Sequence, residues 1–119
     1  MAALASSQVS LYPTEVGKAE FYPRGKDDRT VITRRLKITS LAQGDATDTI
    51  GASALGFTEI LDCGTLWDAT NSKGYPTVID PVNNRIILLD GSNPAAPVKV
   101  TTTAAYITVT GTFKSPVTA

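Results

Sequence analysis

Residues 74–91, GYPTVIDPVNNRIILLDG, constrain the fold more than any other stretch. Two apolar, strand-like runs, 75–80 and 85–90, flank Asp80-Pro81-Val82-Asn83-Asn84. That spacing predicts a β-hairpin closed by a four-residue loop. Pro81 pre-sets φ for the first turn position, Asp80 is placed to cap the loop through an Asx hydrogen bond, and Asn84 tolerates positive φ. The second strand carries the larger consequence. Ile86, Ile87, Leu88 and Leu89 are all apolar, so both faces of the strand are apolar. One face fills a core, and the outward residues, Ile87 and Leu89, must meet more of the chain or a neighbouring subunit.

The rest of the chain reads as further strands divided by turns. It holds seventeen Thr, nine Gly and seven Pro, and few of the residues that favour helices, which is the composition of an all-β protein. Residues 30–39, TVITRRLKIT, alternate as a strand, with Ile32, Leu36 and Ile38 on one face. Arg34 interrupts that face and predicts an edge or a strand end. Ser53-Ala54-Leu55-Gly56 suits a helical turn. Residues 57–63 predict a second strand in strict alternation, 64–74 a longer loop holding Trp67, 98–101 a short strand and 105–113 the last strand. The expectation is one antiparallel β-sandwich, jelly-roll-like or barrel-like, over 30–119. Residues 1–29 lack periodicity and contain Tyr12-Pro13 and Tyr22-Pro23, so they read as an extended N-terminal arm.

A chain of 119 residues makes about one domain and buries enough surface to need no disulfide or metal. Its eleven basic and eleven acidic residues balance, which gives no global attraction to nucleic acid or anionic membrane. No run is long and apolar enough for a membrane helix, and the N-terminus lacks the basic start and apolar core of a secretory signal. The single cysteine, Cys63, lies in an apolar run and reads as a small buried hydrophobe.

No histidine occurs, which removes the commonest general base and transition-metal ligand together. Asp45/Asp48 and Asp62/Asp68 do not match calcium-loop spacing, and Asp90-Gly91-Ser92-Asn93 is ordinary turn chemistry. No phosphate-binding glycine motif is present. No catalytic residue, cofactor site or metal site is therefore expected, and the chain does not read as an enzyme. Trp67 beside Tyr75 is either a sugar-stacking platform or an aromatic that anchors a loop or an interface.

Charge is unevenly placed. Residues 18–37 carry seven basic and three acidic side chains, whereas 38–72 carry five acidic and no basic ones. Opposite patches on a neutral chain suit contacts between subunits, or are ordinary surface charge that happens to segregate.

Tyr12-Pro13-Thr14-Glu15-Val16-Gly17, the segment Ile50–Ile60, the hairpin through Asp80-Pro81-Val82-Asn83-Asn84-Arg85-Ile86 and the closing Tyr106-Ile107-Thr108-Val109-Thr110-Gly111 occur in an order that resembles the small capsid decoration (cement) proteins of tailed bacteriophages. The resemblance implies a small β-sandwich, often trimeric, seated on the outside of a phage head, with the major capsid protein as partner. It places the protein on the virion surface after assembly in the host cytoplasm. The contact residues expected on this reading are Tyr12, Phe21, Tyr22, Arg24 and Trp67, with Ile87 and Leu89 in a homotrimer interface. The same features also suit a tail, fibre or head-fibre β module that binds a receptor or carbohydrate.

Overall fold

The computed structural model describes residues 3–12 and 31–113. Among the described residues, nine strands and two 3-10 turns follow one another: η1 Ser6–Gln8, β1 Val9–Leu11, β2 Val31–Gln43, β3 Ile50–Gly51, η2 Ser53–Leu55, β4 Phe57–Cys63, β5 Leu66–Asp68, β6 Lys73–Tyr75, β7 Thr77–Asp80, β8 Arg85–Leu88 and β9 Val100–Phe113. The larger sheet runs β1-β2-β9-β5-β6, with β4 also paired to β9, and the smaller runs β3-β8-β7. Every pairing between these strands is antiparallel, and one isolated parallel bridge joins Ala3 to Thr49. The expected all-β sandwich is what the chain forms. Ile32, Leu36, Ile38, Ile107 and Val109 from the larger sheet and Ile50, Ile86 and Leu88 from the smaller belong to one buried cluster.

β2 and β9 form the spine, paired from Val31↔Thr112 to Gln43↔Val100. Alternation holds until Ser40, which has φ 55. Inward positions are even-numbered before it, Ile32 to Ile38, and odd-numbered after it, Leu41 and Gln43. This corner explains why the readable alternation stops near residue 39 while the strand continues. Beyond it the chain is tied to the smaller sheet, because Leu88 N–H donates to the Gly44 carbonyl at 2.7 Å. Gly44 has φ +132, and a Cβ there would lie 2.6 Å from Leu88 Cδ1, so only glycine fits.

The edge expected at Arg34 is not found. β2 is flanked by β1 and β9, and Arg34 is 1% exposed. Its Nη1 donates to the carbonyls of Leu55 (3.0 Å) and Gly56 (2.9 Å), and its guanidinium lies over the Phe57 ring. A buried arginine is tolerated here because it closes the end of η2, where Gly56 turns left-handed (φ 83) and leaves carbonyls to satisfy.

The head of the expected arm belongs to the sheet. β1 pairs Val9↔Ile38 and Leu11↔Leu36, and Leu4, Val9 and Leu11 are buried. Three apolar residues in a short segment are too few to register as a period, but they suffice to edge a sheet. Residues 13–30 therefore connect two neighbouring strands. Residues 13–30 lie outside the described residues.

Two hairpins use the same kind of turn. Asp80↔Arg85 closes the expected four-residue loop, with Asn84 at φ 54. Asp80 Oδ1 accepts from Val82 N–H (3.1 Å) and Asn83 N–H (3.3 Å), and Oδ2 from Asn83 Nδ2 (2.9 Å). The same device joins β5 to β6. Asp68↔Lys73 closes the loop, Ser72 has φ 53, and Asp68 accepts from Thr70 N–H, Asn71 N–H and Asn71 Nδ2. The stretch expected as a loop around Trp67 is thus a hairpin built by DATNSK as the other is by DPVNNR. Pro76 separates β6 from β7; it has no N–H for a ladder, and its carbonyl accepts from Leu89 N–H at 2.8 Å.

Candidate interaction surface

The outer face of the larger sheet gathers the side chains that a core does not explain. On β9, Ala105, Ile107 and Val109 point inward, so Tyr106, Thr108 and Thr110 point outward. Register carries the outward set across β2: Lys37 lies opposite Tyr106, Arg35 opposite Thr108 and Thr33 opposite Thr110. Thr33 and Thr110 share a hydroxyl hydrogen bond of 2.8 Å. On the far side of β9, Trp67 lies opposite Tyr106. Tyr12, just past β1, donates its N–H to the Arg35 carbonyl and sets its ring edge-on to Tyr106, centroids 4.7 Å apart at 60°.

β4 completes the face through two bulges. Its pairing to β9 skips between Phe57 and Glu59 and again between Ile60 and Asp62. Each bulge sets two residues against one, so the strict alternation expected over 57–63 becomes one buried, two exposed. Phe57 and Ile60 point inward, while Thr58/Glu59 and Leu61/Asp62 are exposed. Gly111 permits this, because a Cβ there would lie 2.3 Å from the Glu59 carbonyl oxygen. The Thr58 and Thr112 hydroxyls are hydrogen-bonded across the first bulge.

The face thus exposes Tyr12 (48%), Leu61 (47%) and Trp67 (46%) among threonines. Arg35 and Lys37 stand on its β2 side and Glu59 and Asp62 on its β4 side, so the charge split of the sequence becomes a split across one sheet. Beside the Tyr12–Tyr106 pair lies an open recess of about 330 Å³, lined by both rings and by Arg35, Thr65 and Thr108.

Of the expected contact residues, Tyr12 and Trp67 are brought to this face. Tyr106, which links them, was not singled out, although its phase was readable: it alternates with Ala105, Ile107 and Val109 in a strand whose other outward residues are threonines. Trp67 and Tyr75 do not form a joint platform. Trp67 lies opposite Gly74, whereas Tyr75 lies opposite Leu66 and packs on the core. Ile87 and Leu89 sit at the smaller sheet, both half-buried. Ile87 lies opposite the exposed Val78, and Leu89 bridges to Pro97. Phe21, Tyr22 and Arg24 lie outside the described residues.

The loop carboxylates act as turn caps. Asp45 is held below its ordinary range by the N–H groups of Asp48 and Thr47 and the Thr47 hydroxyl. Desolvation pushes Asp68 up, but hydrogen bonds from Thr102, Asn71 and Thr70 outweigh it and leave the group low. Asp90 is lowered mainly by the Ser92 hydroxyl, with help from the Ala96 and Ser92 N–H groups. Burial raises the Cys63 thiol, against a hydrogen bond shared with the Thr77 hydroxyl, so little of it is thiolate. Among the described residues, no group of three or more His, Cys, Asp or Glu side chains is placed to hold a metal ion. No helix among them is long and apolar enough to cross a membrane. Comparison with protein-family models, curated proteins and solved structures gives no match.

Proposed function

We propose that the protein is a virion structural protein, a capsid decoration (cement) protein that binds the outside of an icosahedral phage head and bridges major capsid protein subunits. The observation that carries this reading is the exposure of Tyr12, Leu61 and Trp67 on one threonine-rich sheet face. Large side chains of this kind, Leu61 and Trp67 held on strands and Tyr12 just past β1 against Tyr106, form contact anchors at little entropic cost. The phage assignment itself rests on the sequence resemblance. The protein works by added interface rather than by chemistry. A contact of about 1,600 Å² in total, repeated over a shell, raises the barrier to capsid opening. Ile87 and Leu89 supply the homotrimer contact, and the virion surface is the working location. The test is binding to bare expanded phage heads, together with the mass in solution. Saturable binding by an oligomer is expected, and a monomer that ignores the heads refutes the reading.

One observation favours a second reading, a tail or head-fibre module that binds carbohydrate. The recess beside the Tyr12–Tyr106 pair is lined by aromatic surface and by Arg35, Thr65 and Thr108. Glycan-array binding that disappears in Tyr106→Ala, with no affinity for heads, would select it.

A further inference from the structure

We infer that the tip of the hairpin at 80–85 is a rigid knob whose Val82 side chain seats in an apolar socket of the protein that covers the neighbouring sheet face. The inference rests on the decoration reading, which makes that protein the major capsid protein. Val82 is 88% exposed, the most exposed large hydrophobic side chain among the described residues. A lone exposed valine is ordinary. Two observations set this one apart.

The first is a comparison within the molecule. The hairpin at 68–73 repeats the turn, with Asp68 for Asp80, Asn71 for Asn83 and positive φ at Ser72 as at Asn84. In the place of Val82 it carries Thr70, whose hydroxyl is hydrogen-bonded to that of Thr103 at 2.8 Å. The turn itself therefore does not call for an apolar residue. Thr70 is tied back to its own chain, whereas the Val82 side chain projects into solvent.

The second is bracing. The Asn84 side chain donates to the Thr58 carbonyl and accepts from Ile60 N–H (3.1 Å), and the Asn84 carbonyl accepts from Ala52 N–H (3.0 Å). Arg85 donates to the Asp80 carboxylate and to the Ala46 carbonyl, both at 2.9 Å. Pro81 fixes φ just before Val82, and a β-branched valine is stiff at χ1. A side chain held this way has little freedom left to lose on binding, so its burial goes largely into affinity.

Position names the occupant. Asn84 sits against the edge of β4 that faces away from β9, between Thr58 and Ile60. The knob thus stands at the rim of the outer face, on the side where β4 carries Glu59, Leu61 and Asp62. A partner lying on that face meets the knob as part of the same contact. The socket it offers is apolar and about one valine wide, with basic side chains on the side toward Glu59 and Asp62.

The test is affinity for bare expanded phage heads, with melting temperature and solution mass measured on the same proteins. Val82→Thr keeps the side-chain shape but places a hydroxyl in the socket, and is expected to bind about tenfold more weakly. Val82→Asp is expected to bind about a hundredfold more weakly. Both should melt within about 2 °C of the wild type, because the exposed side chain has no packing to lose. Thr70→Asp, the same change on the twin tip, should bind as the wild type does. Glu59→Lys/Asp62→Lys should weaken binding, most strongly at low salt. Unchanged affinity in both Val82 variants, beside a loss in Trp67→Ala, overturns the knob and leaves the decoration reading standing. Equal losses in Val82→Asp and Thr70→Asp overturn it as well, since added charge alone would then be the cause. A fall in solution mass in Val82→Asp sets the knob against a second copy and overturns the capsid as its partner. Wild-type protein that ignores the heads overturns both the knob and the decoration reading.

Discussion

The Arg34 guanidinium lies 5.0 Å over the centre of the Phe57 ring while its Nη1 holds the carbonyls of Leu55 and Gly56. One side chain from the central strand thereby fixes the end of η2 and the start of β4. Its positive charge is compatible with burial because the ring face and two carbonyl dipoles all turn their negative side toward it. Replacing it with methionine leaves two buried carbonyls without this donor, at about 1–3 kcal/mol each. Arg34→Met is therefore expected to cost roughly 3–5 kcal/mol in urea unfolding. Arg34→Lys keeps the charge but not the fork and should fall between. A loss below about 1 kcal/mol for Met would show that the arginine only fills space.

The close approach of β4 to β9 at Gly111 gives a second prediction. A methyl group there meets the Glu59 carbonyl oxygen at 2.3 Å and Phe57 Cδ1 at 2.7 Å. The first obstacle is backbone and cannot rotate away. Gly111→Ala should destabilise by about 2 kcal/mol or more, and β4 should lose amide protection in hydrogen exchange before β2 does.

Acid sensitivity follows from the hairpin caps. Asp80 is held down from 3.8 to about 2, chiefly by the Asn83 side chain and backbone N–H, with Arg85 adding a hydrogen bond and charge at 2.9 Å. The folded carboxyl binds its proton less readily than the unfolded one. Its contribution is thus fully present above 3.8 and is lost as pH falls through that value toward about 2. Asp45, Asp68 and Asp90 are lowered too and act in the same direction. Melting temperature should be flat near neutral pH and fall below pH 3.8. Asp80→Asn should start lower and show a shallower decline, and an unchanged slope would refute the assignment.

These residues also mark how far the sequence could be read. The hairpin at 80–85 was legible because Asp, Pro and Asn each have a local reason to be where they are. Its twin at 68–73 uses the same Asp and Asn, but its strands are three residues long, too short for alternation to register. Arg34 was visible as an interruption, and its reason was not, since the two carbonyls it serves lie 21 and 22 residues away. The bulges of β4 were hidden for the same kind of reason, because they depend on a glycine in another strand. The contact face was half legible. Tyr12 and Trp67 stood out as aromatics, and the charge split was countable, but only strand pairing sets the basic and acidic groups on one face.

The pairing of β1 with β2 changes how the role of residues 13–29 is to be tested. Removing 1–29 would also remove Leu4, Val9 and Leu11 from the core, so lost binding would report lost folding. An internal replacement avoids this. Tyr12 is bonded to Arg35, and β2 begins at Val31, four residues away, so the gap to bridge is about 13 Å. A linker of about six glycine and serine residues in place of 13–29 spans it. The melting temperature of this variant should stay within a few degrees of wild type, whereas deletion of residues 1–12 should lower it sharply. If Phe21, Tyr22 and Arg24 carry part of the contact with the capsid, the linker variant keeps its fold and its mass but binds bare heads at least about tenfold more weakly, the effect of losing one aromatic or arginine hot spot. Undiminished binding by the folded linker variant would remove that segment from the contact and leave the sheet face as its site.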